Sequence, residues 1–125
     1  MTDLNRVKQM RDKVCVVGVG ETDYEKDWKL NRAGKAHHDQ YGLAALAFTR
    51  ALQDSGFDKK DIDGVIIGGP MAPERTCEIL GLDPRWTNSG GAPKGVLDAV
   101  LAINAGLAST VAMIYGNNQR SGGTQ

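Results

Sequence analysis

Pro93–Ala108, PKGVLDAVLAINAGLA, is followed at Thr110–Tyr115 by TVAMIY. Proline suits the first turn of a helix, because its missing N–H would have no partner there. The spacing predicts a helix to about Ala105, with Gly106 near its C-terminus. Within Val96–Ala108 only Asp98 and Asn104 interrupt an otherwise apolar surface. A helix apolar on every side has to be covered on every side. The stretch is therefore expected to lie between layers, with Gly95–Ala105 largely buried. Thr110–Tyr115 reads as a buried strand stopped by Gly116-Asn117-Asn118.

Working back along the chain, Val65-Ile66-Ile67 is a second short buried strand, ended by Gly68-Gly69-Pro70. Between the two strands, Glu74–Leu80 reads as a short helix closed by Gly81 and Pro84, and Trp86-Thr87-Asn88 as a short strand. Upstream, Asp39 is an N-cap for YGLAALAFTRALQD, which Ser55-Gly56 stop. Val14–Gly20, VCVVGVG, is continuously apolar and predicts a strand buried on both faces, with Cys15 packed in the core. Residues 21–38 are charged and read as a long excursion loop. Residues 1–12 are expected to be a flexible N-terminus, and residues 13–125 one partial domain.

Alternation of this kind implies an α/β fold with a parallel-rich sheet and helices packed on it. The apolar helix asks for a second sheet that these residues do not supply. The sequence ends at Ser121–Gln125, just after a strand. The expectation is a fragment, or one partner of a larger assembly.

Composition narrows the function classes. Lys+Arg and Asp+Glu number 15 each among 125 residues, and no basic run exceeds a pair. A dominant nucleic-acid or anionic-membrane surface is not expected. No apolar stretch reaches 18 residues, so no membrane span is predicted. The polar start lacks a signal-peptide core. Cys15 and Cys77 form no metal-binding spacing, and a reduced, cytoplasmic setting is expected.

Two motifs fail on inspection. Gly18-Val19-Gly20 follows a predicted strand, but Asp23 stands where a dinucleotide fingerprint needs its third glycine. A carboxylate there would repel pyrophosphate. His37-His38-Asp39 resembles the start of an acyltransferase HHxxxD signature, yet its aspartate is adjacent and Gly42 stands at the required spacing. Neighbouring histidines share no helix face, so metal chelation is not expected either.

Three segments taken in order resemble the thiolase superfamily, in particular its thiolase-like lipid-transfer and aldolase branch. They are VCVVGVGETDYEKD at Val14–Asp27, LAALAFTRALQDSGFDKKDIDGVIIG at Leu43–Gly68, and NSGGAPKGVLDAVLAINAGLASTVAMIYGNNQRSGG at Asn88–Gly123. The resemblance implies the N-terminal part of a layered α-β-α-β-α fold, belonging to a dimer of chains about three times longer. It implies a CoA thioester, acyl-CoA or steroid-CoA, as substrate, with no further cofactor or metal. A small zinc-ribbon/OB-fold protein is an implied partner.

The resemblance also exposes a departure. Active thiolases place their nucleophilic cysteine at the start of the central helix, where the helix dipole favours a thiolate. That position falls at about Gly90, within Ser89-Gly90-Gly91-Ala92, and no thiol is present. Acyl-enzyme chemistry is excluded there, and this stretch supplies no catalytic residue. Cys77 reads as structural. Asn88, Ser89, Gly90 and Gly91 are the candidate substrate-binding residues, through backbone N–H groups at a helix start. A tight turn into a crowded helix is the competing reading of Gly90-Gly91. Lys94, the nearest cation, is expected to point away along the helix. The function expected is that of an acyl-CoA-handling part inactive alone. The alternative is a non-enzymatic binding or scaffold subunit that pairs with a separate chain.

Overall fold

The computed structural model describes residues 4–35 and 38–118. His37 and Ser121–Gln125, on which two of the sequence readings fall, lie outside the described residues. Helix α1 spans Leu4–Met10. Helix α2, Tyr24–Arg32, occupies ground expected to be a loop. Its start was legible: the Asp23 side chain accepts the Lys26 N–H at 3.0 Å, and Glu25 pairs with Lys29 one turn on at 2.6 Å. The lack of an apolar stripe hid it, since the helix is mostly polar.

Helix α3, Gln40–Ser55, follows the sequence reading closely. Asp39 accepts the Gly42 N–H at 2.7 Å, and Gly56 ends the helix with φ 76°. Leu43, Ala44 and Phe48 are its buried positions. After a 3-10 turn at Lys59–Asp61 comes β1, Gly64–Gly68, buried at every residue. Helix α4 spans Pro73–Leu80, β2 Trp86–Ser89, α5 Lys94–Asn104 and β3 Val111–Tyr115. The Ala92–Pro93 peptide bond that leads into α5 is cis.

The three strands form one parallel sheet in the order β2-β1-β3. The chain moves one way from β1 to β2 and back the other way, past β1, to β3. Right-handed crossovers therefore put α4 and α5 on opposite faces. The core sits on the α3/α4 face, where Val65, Ile67 and Ile114 meet Ala44, Phe48, Met71 and Leu80. On the other face α5 approaches closely at Gly95, where an added Cβ would lie 2.7 Å from Met113 Cε.

Asp63 ties the amino ends of all three strands together. Its carboxylate accepts the Ser109 and Thr110 N–H groups at 2.9 and 2.8 Å. Its carbonyl accepts the Arg85 N–H at 3.0 Å, and its own N–H donates to Thr110 O at 3.1 Å.

The segment 14–20 corrects the sequence reading. It contains no assigned strand. Val16, Val17 and Val19 are exposed, and so is Cys15, which was expected in the core. The physical reason lies in the two glycines. A Cβ on Gly18 would stand 2.7 Å from the Ala51 carbonyl oxygen. One on Gly20 would overlap the Ala47 carbonyl oxygen and stand 2.5 Å from Ala51 N. The segment thus runs against the backbone of α3, held by Val19 N–H to Asp54 at 2.9 Å and by Arg50 to Glu21 O at 2.6 Å. No strand of the sheet pairs with it, so its valines face outward. A continuous apolar run records a need for cover, not the partner that gives it.

Helix α5 shows the same need. Gly95 and Ala102 are buried against the sheet. Val96, Leu97 and Leu101 are about half exposed, so the expected cover on the far side is absent among the described residues.

Candidate functional site at the carboxyl edge of the sheet

Because α4 and α5 leave β1 and β2 toward opposite faces, the loops after these strands diverge. Such divergence marks the carboxyl ends of β1 and β2 as the place for a crevice, the usual position of a ligand in a parallel sheet. The loop after β1 is Gly68-Gly69-Pro70, and the loop after β2 is Gly90-Gly91-Ala92. They touch: a Cβ on Gly68 would stand 2.8 Å from the Gly90 carbonyl oxygen. Gly69 has φ 75°, a backbone conformation that favours glycine.

The four predicted residues are brought to this crevice, each with a different fate. The Asn88 side chain donates to Asp98 at 3.2 Å and accepts the Ser89 N–H at 2.9 Å. The Gly90 N–H donates to Ile67 O at 3.0 Å, extending the β1–β2 ladder by one bond. The Ser89 and Gly90 N–H groups are therefore used internally. Among the described residues, those of Gly91 and Ala92 have no hydrogen-bond partner. A Cβ on Gly91 would meet nothing within 4 Å. The open part of the loop is thus Gly91-Ala92, at the amino end of α5.

Lys94 lies along the helix, as expected, with Nζ 2.5 Å from Asp98 Oδ2. Asp98 is bridged by Lys94 and Asn88, which fixes the end of β2 to the first turn of α5. The Asp98 carboxylate offsets part of the charge of Lys94, whose Nζ also lies 3.9 Å from where a Cβ on Gly90 would stand, and the backbone dipoles at the start of α5 add to the local positive potential.

The two cysteines and His38 lie outside the crevice. Cys77, on α4, is half-buried; burial, with Glu74 nearby, pushes its thiol up from the ordinary value. A raised thiol pKa is the reverse of what a nucleophile needs. His38 Nδ1 lies 3.4 Å from Asp27 Oδ1, and its N–H donates to the same oxygen at 3.3 Å. That pairing ties the start of α3 to α2. No group of three or more His, Cys, Asp or Glu suited to a metal ion occurs among the described residues. An open concavity of about 500 Å³ along α2, lined by Lys26, Lys29 and Lys35 among others, shares no residue with the glycine loops.

Two solved structures are similar to this chain in fold. One is the Ltp2–ChsH2(DUF35) aldolase, with a TM-score of 0.70 and 22% identity over 87% of this chain. The fold is thiolase-like. The other is a monomeric SCP2-thiolase-like protein type 1 from Mycobacterium smegmatis, with a TM-score of 0.59 and 22% identity over 79% of this chain. The chain spans 28% and 22% of their respective lengths. No protein-family profile and no curated protein matches the sequence. At this identity the likeness establishes architecture alone. No helix among the described residues is long and apolar enough to cross a membrane.

Proposed function

We propose that this chain contributes one wall of an acyl-thioester site in a thiolase-like protein of the lipid-transfer or aldolase type. The site binds without forming an acyl-enzyme. The observation that carries the reading is the open Gly91-Ala92 turn, whose unpartnered N–H groups lie where the loops of β1 and β2 diverge. Two such groups at a helix start can hold a thioester oxygen and favour negative charge developing on it. With no thiol at this turn, and with Cys77 half-buried and raised in pKa, binding and polarisation are what these residues offer. The outward side of α5 and the valines of 14–20 are surfaces for the remaining layers of such a fold. A chain alone is then inactive, and a small partner of the kind named for the aldolase completes the working assembly.

The same exposed surfaces favour a second reading, a binding or scaffold subunit that pairs with a separately encoded chain. The DNA downstream of codon 125 separates the two: an in-frame continuation supports one chain, and a separate coding region supports a split pair.

The substrate reading is tested by calorimetry of CoA-thioester binding to the complete protein, wild type against Gly91→Val. A branched side chain in that open space should weaken binding about tenfold or more. Equal affinities in a folded variant would reduce the loop to a turn.

A further inference from the structure

We infer that the Tyr115 hydroxyl is a side-chain hydrogen-bond donor to the carbonyl oxygen of a bound acyl thioester, opposite the Gly91-Ala92 turn. This rests on the thioester reading of the crevice.

The position follows from sheet register. Tyr115 is the last residue of β3 and pairs with Gly68, the last residue of β1. Paired residues in a parallel sheet point to the same face. Met113, two residues earlier, lies against Gly95 of α5, so Tyr115 projects to the α5 face as well. Helix α5 runs antiparallel to the strands, which puts its amino end at their carboxyl edge. Tyr115 and the Gly91-Ala92 turn therefore share one face and one edge of the sheet, with Gly68 between them.

The glycines of the first loop make room for the ring. A Cβ on Gly69 would stand 2.9 Å from Tyr115 Cε2, and one on Gly68 3.3 Å from Cδ2. One edge of the ring thus lies against the β1 turn, and the residue is 61% exposed, unlike the buried Ile114 beside it. Its hydroxyl is oriented: Asn117 Nδ2 donates to the phenol oxygen at 3.2 Å. With a lone pair engaged in that way, the phenol keeps its proton to donate to another acceptor. A hydroxyl donor on the same face and edge of the sheet as two backbone N–H groups suits an oxygen that gains negative charge, and a thioester carbonyl is such an oxygen.

The test compares hexanoyl-CoA with S-hexyl-CoA, a thioether lacking only the carbonyl oxygen, by calorimetry on the complete protein. Wild type should bind the thioester about five- to tenfold more tightly than the thioether. Tyr115→Phe keeps the ring and should remove most of that preference, leaving thioether affinity unchanged. Asn117→Ala should lose part of it, because the phenol is no longer oriented. A Tyr115→Phe protein that retains the full preference overturns the inference while leaving the loop reading intact. Failure of the wild type to bind either compound overturns the thioester reading and this inference with it.

Discussion

Removing the Asp63 carboxylate should loosen the whole sheet from its amino edge. In Asp63→Ala the Ser109 and Thr110 N–H groups, now held at 2.9 and 2.8 Å, lose their acceptor. A hydrogen bond to a charged group contributes about 1.5 to 3 kcal/mol. The side chain is 29% exposed, so water can replace part of each bond. The Arg85 partner, at 3.5 Å and more exposed, adds little. The expected loss is about 2 to 4 kcal/mol, a large share of the stability of a small domain. Burial, the largest single influence on this carboxyl, raises its pKa; the Thr110 and Ser109 amides together with Arg85 outweigh it, and the net shift is downward. A lowered folded-state pKa means the contribution is present above the unfolded value of about 3.9 and is lost as pH falls through the folded value. Urea titration followed by far-UV circular dichroism, on wild type and variant at pH 7 and in acid, reads both effects. The two proteins should differ at pH 7, and the gap should narrow as pH falls below about 4 toward the folded-state value. Asp63→Asn, which keeps one acceptor oxygen, should fall between them. An Asp63→Ala stability within about 0.5 kcal/mol of wild type at pH 7 would refute the claim that this carboxylate holds the start of β3 to β1.

The two thiols should separate under iodoacetamide at neutral pH: exposed Cys15 is labelled first and Cys77 slowly, with intact mass reading the order. Acetyl-CoA should leave no stoichiometric adduct, and acylation at Cys77 would overturn its structural role. Gly20→Ala should dislodge the 14–20 segment from α3 at a cost of about 1 to 3 kcal/mol, seen as faster proteolysis there, because its Cβ would collide with the Ala47 carbonyl. Replacing exposed Leu97 and Leu101 with lysine should lower binding of an apolar dye and leave the helical circular dichroism unchanged; a loss of helix would mean these leucines already pack within the chain.

Local signals in the sequence determined most of the elements. Asp39 and Gly56 bound α3 because capping depends on residues within one turn. Short β-branched runs and their glycines marked β1 and β3. The absence of a thiol at Ser89–Ala92 is legible from residue identity alone. Helix α2 escaped notice because apolar periodicity was the cue in use, and its polar surface offered only a cap and an ion pair. What tertiary structure alone decided concerns partners distant in sequence. The valines of 14–20 carry the signature of a buried strand, yet Gly18 and Gly20 set the segment against α3, and no local rule reveals that contact. The loop Asn88–Gly91 stands out in the sequence by its position before α5, but only the β1–β2 ladder and Asp98 show that the Ser89 and Gly90 N–H groups are used internally and that Gly91-Ala92 is the open part. Tyr115 reads in sequence as the end of a buried strand. Its place on the same edge of the sheet as that loop arises from the order β2-β1-β3, a property of how strands 20 to 50 residues apart pair, which no single segment encodes.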